Sequence, residues 1–302
     1  MRRFLALSRS THGVLDVALP GFAALLWLGT VPAWPVLALS LFTAVAGYTA
    51  IYALNDLVGV KADQEKFAVA GINAGYSVEA SALRYPLAQK LLSVRSGLAW
   101  FGFWYVLTLI GAWLINPPIV FVVLAAAVLE VAYCMLLKVT YWRTLVSGLV
   151  KSCGPVAAVF VVQPDPSLPL LGVLVAWIML WEIGGQNIPA DWNDIEEDRG
   201  IGARTIPLVF GPRGAGWLVV VSLTLAVITS LFLPRMSPLK LGLPYLIPSA
   251  LAGVFLLLWP GLQLLRSGAS RQAARLFDRA SYYPLVQLAL IAIFVLMPAS
   301  WQ

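Results

Sequence analysis

The sequence is poor in charged residues, which make up 11% of its 302 positions, whereas a soluble globular domain carries about 25%. Hydrophobic residues account for 60% of the chain and the mean hydropathy is +0.85. Such a composition is typical of a chain whose apolar side chains face lipid instead of being buried in the core of a water-soluble domain. It excludes an ordinary soluble domain and predicts an all-α, polytopic membrane protein.

Histidine and cysteine are scarce as well. His12 is the single histidine, which excludes a metal centre built from several histidines. Cys134 and Cys153 both lie in apolar runs, where cysteine behaves as a small buried hydrophobic residue, so neither a disulfide nor a cysteine metal site is predicted. The net charge of +6 comes largely from short loops and indicates membrane topology, and no nucleic-acid partner is expected.

Nine apolar stretches approach the ~20 residues that a helix needs to cross a bilayer. Proline- and glycine-rich connections separate several of them and predict helical hairpins. We therefore expect one bundle of nine transmembrane helices that forms a single domain over residues 1–302. The predicted spans lie near 13–31, 34–54, 96–115, 118–137, 144–162, 167–186, 215–233, 244–264 and 282–299.

The basic residues predict which ends of the spans face the cytoplasm. The N-terminus and the loops after spans two, four, six and eight contain 17 of the 20 lysines and arginines. By the positive-inside rule these segments are cytoplasmic, and nine spans then place the C-terminus outside. The segments 56–95 and 191–214 become cytoplasmic helical caps, and in a bacterium the membrane would be the inner one.

Two acidic stretches follow spans two and six, on the same predicted side of the membrane. Residues three, four or seven positions apart share one face of a helix, and Asp191, Asp194 and Asp198 have this spacing, as do Asp56 and Asp63. Carboxylates crowded on one face repel each other unless a cation lies among them. Mg²⁺ prefers oxygen ligands and bridges carboxylates to substrate phosphates. Two such faces opposite each other therefore predict two or three Mg²⁺ ions around a diphosphate. These ions would neutralise the diphosphate as it leaves and so help to break the C–O bond. The alternative is a pair of solvated helix ends.

The two stretches resemble the Asp-rich motifs of the UbiA superfamily of intramembrane prenyltransferases. The second motif, Asp-x-x-Asp-x-x-x-Asp, is matched in full, whereas in the first, Asn-Asp-x-x-Asp-x-x-x-Asp, Gly59 replaces the middle aspartate. The run from Asp63 to Arg84 is also longer than the family pattern. Further similarity is found in "RYPLAQKLLS" from Arg84, "YCMLLK" from Tyr133 to Lys138, and "GIGARTIPLVFG" with Arg204 and Thr205.

This resemblance implies transfer of a prenyl or polyprenyl chain from its diphosphate to an acceptor within the membrane, with Mg²⁺ as cofactor and Mn²⁺ as a possible substitute. The expected partners are a prenyl diphosphate donor, a hydrophobic or aromatic acceptor, and the lipid bilayer. Asp191 and Asp194 are the expected catalytic residues, and Asp191, the most membrane-embedded, would orient or deprotonate the acceptor. The expected metal ligands are Asp56, Asp63, Asp194 and Asp198. The expected diphosphate ligands are Asn55, Arg84, Lys138, Arg143, Lys151 and Arg204.

Lys151 lies in the middle of a span, where a charge needs a partner or a water-filled cavity. It is predicted to contact the diphosphate; the alternatives are pairing with Glu130 or reaching towards the interface. Asp16 and Glu182, the other intramembrane carboxylates, are further candidate partners for it. The aromatic residues that align with the acidic faces could stabilise a carbocation or anchor the protein at the interface; they are Tyr48, Tyr52, Trp177 and Trp181.

Other functions are compatible with part of this pattern. A terpene cyclase of the same superfamily would use the same ionisation chemistry, and the motifs do not separate it from a transferase. A transporter with acidic ion sites would place them near the bilayer midplane, whereas both acidic stretches are predicted in cytoplasmic caps. The Asp-Gly…Ala-Arg…Gly arrangement of the CDP-alcohol phosphotransferases is not found in the sequence.

Overall fold

The computed structural model describes residues 1–71 and 83–297, apart from the side chains of Thr11, His12 and Ala70. All regular secondary structure in this part of the chain is helical. Short 3₁₀ segments (Leu136–Lys138, Leu233–Met236) and π segments (Glu182–Asn187, Val254–Leu258) interrupt it. The α-helices are α1 (Arg2–Leu7), α2 (Ser10–Asp16), α3 (Ala18–Leu28), α4 (Trp34–Ala70), α5 (Val94–Ile115), α6 (Pro118–Met135), α7 (Arg143–Val162), α8 (Leu168–Trp181), α9 (Ile188–Asn193), α10 (Ile195–Gly200), α11 (Ile206–Ser230), α12 (Leu243–Gly253), α13 (Trp259–Ser267) and α14 (Ser270–Leu296).

Eight helical stretches of the described residues are long and apolar enough to cross a membrane. Each overlaps one predicted span, so the polytopic all-α prediction is confirmed. The predicted first span, 13–31, is not among the eight, because it is divided into α2 and α3. Pro20 has no N–H to donate to the carbonyl of Asp16, where α2 ends, and Gly29, with φ of 69°, ends α3. The count of nine crossings therefore stays a prediction.

The burial pattern is that of a bundle embedded in lipid. Large apolar side chains are exposed along the long helices; Phe121 and Val128 on α6, for example, are 74% and 69% exposed. The largest buried side chains, Trp177, Trp181 and Tyr283 among them, form one core between α3, α7, α8, α11 and α14. An apolar exterior around a well-packed aromatic interior is stable where lipid, rather than water, covers the outer surface.

The first acidic stretch lies on α4, which continues well past the predicted end of its span. The apolar part of this helix, Trp34–Val69, has 36 residues and at 1.5 Å per residue is about 54 Å long, whereas the hydrocarbon core is ~30 Å thick. The helix must therefore project from the membrane, and its projecting end carries the acidic residues. The rest of the predicted cap 56–95 includes residues 72–82, which lie outside the described part of the chain.

The second acidic stretch differs from the continuous helix that the residue spacing predicted. A π segment, Glu182–Asn187, joins α8 to α9, and Asp194, with φ of −96° and ψ of 13°, separates α9 from α10. Gly184 permits the π segment to pack tightly, because a Cβ there would lie 2.9 Å from Leu223 Cγ and 3.0 Å from a backbone oxygen. The three aspartates thus do not form a simple helical stripe.

Candidate active site

The first acidic face consists of Asn55, Asp56 and Asp63 on α4. Arg9 donates from Nη2 to Asn55 Oδ1 at 3.2 Å and lies 3.8 Å from Asp56 Oδ1. Asn55 donates from Nδ2 to Glu130 Oε1 at 2.5 Å. Asp63 lies two turns further along α4 and lines an internal cavity. No lysine or arginine of the described residues forms an ion pair with Asp63. The two carboxylates of this face are therefore neutralised unequally by the protein.

The second acidic face consists of Asp191, Asp194 and Asp198, and all three carboxylates lie close to lysine or arginine side chains. Arg143 donates from Nη1 to Asp191 Oδ1 at 3.0 Å. Lys66 Nζ lies 2.7 Å from Asp198 Oδ1 and 3.8 Å from Asp194 Oδ2. Lys66 is 7% exposed. It lies three positions after Asp63 on α4, so it joins the two acidic faces.

The segment that precedes α5 covers the second face. Arg84 Nη2 lies 3.1 Å from Glu197 Oε2 and 3.5 Å from Asp194 Oδ1, and its guanidinium stacks on the Tyr85 ring at 4.7 Å. Burial raises the pKa of Glu197, although Arg84 opposes the shift. Burial likewise raises the pKa of Asp198, although Lys66 opposes this. The cap is thus a compact ion-pair network.

Both faces meet at one end of a cavity of about 820 Å³. Its polar end is lined by Asp63, Lys66, Arg84, Asp191 and Asp194. Asp56 and Asp198, which are 2% and 1% exposed, are not among the lining residues. Away from the acidic faces the wall is largely apolar and includes Pro20, Ala24, Leu41, Ala44, Val122 and Val161.

A separate polar cluster lines the same cavity deeper in the bundle. Lys151 Nζ lies 2.8 Å from Asp16 Oδ2, 4.0 Å from Glu182 Oε2 and 3.5 Å from the Tyr52 hydroxyl, which itself donates to Asp16. Glu182 also accepts a hydrogen bond from Ser147 at 2.7 Å. Lys151 therefore pairs with Asp16 rather than with Glu130, the partner considered from sequence.

The four predicted aromatic residues divide into two pairs. Tyr48 and Tyr52 line the cavity. Trp177 packs in the core against Phe22, with ring centroids 5.3 Å apart, and does not line the cavity. Trp181 donates from Nε1 to a backbone carbonyl at 3.0 Å, while its ring lies 5.9 Å from Lys151 Nζ. Trp181 therefore packs next to Lys151 in the deep polar cluster without lining the cavity itself.

Two of the predicted diphosphate ligands lie outside the cavity lining. Lys138 forms an ion pair with Glu65 on the half-exposed surface, with side-chain exposures of 42% and 53%. Arg204 donates from Nη1 to the carbonyl oxygen of Val139 at 3.3 Å. Their assignment to the diphosphate rests on the sequence resemblance alone.

Sequence reasoning overlooked Lys66, which joins the faces, and the role of Arg9 at the first face. Lys66 was detectable in principle, because it lies three positions after Asp63 and ten after Asp56, on the same face of a continuous helix. Arg9 was not, because its contacts with Asn55 and Asp56 span more than 40 residues of chain. Such contacts depend on how the N-terminal helices pack.

The oxygen-rich donor set fits a hard divalent cation such as Mg²⁺. Asp63 and Asp194 offer carboxylate oxygens to the cavity, and Asp191 Oδ2 and Asn193 Oδ1 are buried without a hydrogen-bond partner among the described residues. Within the same part of the chain no three acidic, histidine or cysteine residues converge on one metal position. The residues therefore fit an ion that completes its coordination with water and substrate phosphate oxygens, as Mg²⁺ usually does.

The fold is similar to that of several solved structures. A UbiA homolog from Aeropyrum pernix K1 superposes with a TM-score of 0.70 at 19% identity, over 93% of this chain and 97% of that one. A digeranylgeranylglyceryl phosphate synthase gives 0.68 at 17% identity, over 98% and 99%. A UbiA homolog from Archaeoglobus fulgidus, solved with DMAPP and Mg²⁺, gives a TM-score of 0.66 at 17% identity, over 96% of this chain and 99% of that one.

The family assignment comes from a match over nearly the whole sequence. A search of curated proteins found no significant match. The model of the UbiA prenyltransferase family, in contrast, matches residues 17–297, which include both acidic faces and all eight long helical stretches. The chain therefore belongs to the UbiA prenyltransferase family.

Proposed function

We propose that this protein transfers a prenyl or polyprenyl chain from its diphosphate to a hydrophobic or aromatic acceptor within the membrane, in a reaction that requires Mg²⁺. The observation that carries the proposal is a cavity that has an acidic, cation-rich end and a largely apolar body. A prenyl diphosphate has the same division into a charged head and an apolar tail. Structures of a similar protein, the UbiA homolog from Archaeoglobus fulgidus, with DMAPP or GPP and Mg²⁺ bound support this donor class.

The diphosphate would lie at the acidic end, below the cap. Asp63 and Asp194 would hold Mg²⁺, and Arg84 and Arg143 would contact phosphate oxygens directly, since their guanidinium groups already lie at this end of the cavity. Bound Mg²⁺ supplies positive charge that stabilises the leaving diphosphate. The predicted roles of Asp56 as a metal ligand and of Asn55 in diphosphate binding belong to the same proposal. The predicted role of Asp198 as a metal ligand stays a prediction, because Lys66 Nζ lies 2.7 Å from its Oδ1.

In the transfer step the bond between prenyl C1 and the diphosphate oxygen breaks, and the electron pair leaves with the diphosphate. A new bond then forms between prenyl C1 and a nucleophilic atom of the acceptor, which loses a proton. Asp191 is the proposed group that orients the acceptor or takes this proton. Its Oδ1 is fixed by Arg143 at 3.0 Å while Oδ2 has no hydrogen-bond partner among the described residues.

The prenyl chain would occupy the apolar body of the cavity. Tyr48 and Tyr52 also line the cavity, and because aromatic faces attract positive charge, their proposed role is to stabilise the developing allylic cation. Lys151 was also predicted to contact the diphosphate, but it lies further from the acidic end of the cavity than Arg143 does. Lys151 follows Arg143 by eight positions on α7, which is about 12 Å along the helix.

The test is a product analysis with purified protein in lipid nanodiscs. Radiolabelled prenyl diphosphates of several lengths are incubated with Mg²⁺ and a membrane lipid extract, and labelled products are identified by mass spectrometry. We expect release of diphosphate together with a labelled prenyl adduct. The control variant is Glu196→Gln, because Glu196 is 74% exposed and pairs with Arg199 outside the cavity.

The outcomes separate the possible functions. A labelled cyclic hydrocarbon formed without any acceptor would identify a terpene cyclase. Absence of diphosphate release with every donor, from protein that is folded and monodisperse, would overturn the proposal. Full turnover in EDTA would overturn its metal requirement.

A further inference from the structure

Lys66 occupies an unusual place for a lysine in a metal-dependent site. Its ammonium group lies between two carboxylates of the second face, 2.7 Å from Asp198 Oδ1 and 3.8 Å from Asp194 Oδ2. It is 7% exposed and also lines the cavity. An ammonium this close to a carboxylate, with both groups buried, forms a buried ion pair rather than a weak surface one.

The neighbouring cations leave little negative charge at the second face. Asp191 pairs with Arg143, and Asp194 lies near both Arg84 and Lys66. Asp198, at 1% exposure, has Lys66 as its close cation. A divalent cation that bridged Asp194 and Asp198 would need the space that the Lys66 ammonium fills, because Mg²⁺ binds carboxylate oxygens at about 2.1 Å.

The first face shows the opposite arrangement. Asp63 lines the cavity and forms no ion pair with any described lysine or arginine. Gly59, one turn earlier, supplies no carboxylate of its own, and a Cβ at this position would lie 3.2 Å from Asp63 Oδ2. Asp63 therefore has no cation as close to it as Lys66 is to Asp198, although Lys66, Arg9 and Arg84 act on it from further away. A divalent cation at the acidic end thus meets less competition from the protein at Asp63 than at Asp198.

We propose that the Lys66 ammonium takes the place of one divalent cation at the second acidic face. The protein would then bind its diphosphate with one ion fewer than the paired acidic motifs suggest, and Lys66 would be a positioning residue that holds Asp198 and Asp194 next to the diphosphate. The proposal rests on the proposed function, because the remaining metal is assumed to bind together with a diphosphate.

The direct test is to count bound metal ions without measuring turnover. Wild type, Lys66→Met and Lys61→Met are purified in detergent, and Mn²⁺ is titrated by electron paramagnetic resonance at saturating geranyl thiodiphosphate, an unreactive donor analogue. Lys61 is an exposed lysine on the same helix and serves as the matched control. We expect Lys66→Met to bind one more Mn²⁺ per chain than the other two proteins.

Thermal unfolding gives a second readout. Without Lys66 the carboxylates of the second face repel each other, so Lys66→Met should melt at a lower temperature than wild type in EDTA. Mg²⁺ should raise its melting temperature more than that of wild type or Lys61→Met, because ligand binding to the folded state stabilises it.

The inference is overturned if wild type and Lys66→Met bind the same number of ions. If Lys66→Met does not fold, wild type and Asp198→Asn are compared instead: an equal ion count supports the inference, and loss of an ion in Asp198→Asn contradicts it. Failure of the proposed function looks different, because then wild type and Lys66→Met alike would bind no Mn²⁺ in the presence of the diphosphate analogue.

Discussion

At the scale of single residues, the acidic faces differ in how their charge is balanced. Asp194 is more exposed than its neighbours, at 22% for its side chain, and lies 3.5 Å or more from its cations Arg84 and Lys66. Such long contacts can rearrange when a metal and a diphosphate bind. Asp198, in contrast, has the Lys66 ammonium 2.7 Å from its Oδ1. Asp194 is therefore the carboxylate of the second face that is best placed to bind metal.

Replacing Asp194 with asparagine should lower turnover by about 10²-fold or more, if loss of a charged ligand costs about 3 kcal/mol of transition-state stabilisation. The folded yield in detergent should change little, because the side chain is partly solvated. The measurement is diphosphate release at saturating Mg²⁺ and matched protein levels, with Glu196→Gln as the control. A near-normal rate for Asp194→Asn would mean that the diphosphate binds elsewhere.

The sequence identified most of the residues at the acidic end of the cavity but not how they pair. Motif spacing is a local property, and three of the residues that it singled out, Asp63, Asp191 and Asp194, line the cavity. Pairing is a tertiary property. The position of Lys66 between two aspartates of another helix follows from the way α4 packs against α10, which no periodicity in either segment encodes.

The intramembrane pair of Lys151 and Asp16 permits a test of stability. Replacing Lys151 with methionine leaves Asp16 and Glu182 buried without their common cation, and breaking such a pair costs about 3–5 kcal/mol. Lys151→Met should therefore lower the melting temperature, and Asp16→Asn added to it should recover part of the loss. A double-mutant cycle measures this coupling. Additive effects of the two changes would show that the pair does not stabilise the protein.

At the scale of helices, the apolar runs predicted the spans well because length and hydropathy dominate in a membrane. The structure has Arg143–Val162 where 144–162 was predicted and Val94–Ile115 where 96–115 was predicted. The interruptions were harder to foresee. The π segment Glu182–Asn187 depends on close packing at Gly184, a feature of neighbouring helices rather than of its own sequence.

Gly211 marks where the predicted cap gives way to the next span. It lies within α11 with φ of 68° and ψ of 175°, and Pro212 follows it. This conformation is poorly accessible to residues with a Cβ, although a Cβ here would meet nothing within 4 Å. The helical axis therefore changes direction between the acidic stretch and the membrane.

Gly211→Ala should destabilise the protein by about 1 kcal/mol through backbone conformation alone. The matched control is Gly102→Ala, because Gly102 lies in the regular part of α5 and a Cβ there also meets nothing within 4 Å. The control should be neutral or slightly stabilising. Thermal unfolding in the same detergent compares the two variants. Equal melting temperatures would contradict the strained geometry at Gly211.

At the scale of the whole molecule, the N-terminal helices lie on the same side as the acidic faces. Arg3 donates from Nη1 to the carbonyl oxygen of Leu91 at 2.9 Å, immediately before α5 begins, and Arg9 contacts Asn55 and Asp56. The N-terminus therefore lies at the end of the bundle where α4 ends and α5 starts. Its three arginines are part of the basic side that the positive-inside rule assigns to the cytoplasm.

The end of α3 lies at the opposite end of the bundle. An added Cβ at Gly29, which ends this helix, would lie 2.5 Å from a side-chain carbon of Pro238. Pro238 belongs to the connection between α11 and α12, at the far end of α11 from the acidic stretch. The segment from α2 to α3 thus connects opposite ends of the bundle, although Gly13–Leu28 is shorter than an ordinary span.

This geometry supports nine crossings, and we expect reporter fusions to agree with it. Fusions after Ser93 and Gly214 should report a cytoplasmic position, and fusions after Val31 and Gln302 an external one, with paired reporters that are active on opposite sides of the membrane. The physical reason is that the N-terminal arginines contact the acidic end, so we expect the chain to cross once before α4 begins. A cytoplasmic position for Val31 would mean that α2 and α3 do not cross, and the basic N-terminus and the start of α4 would then share one side.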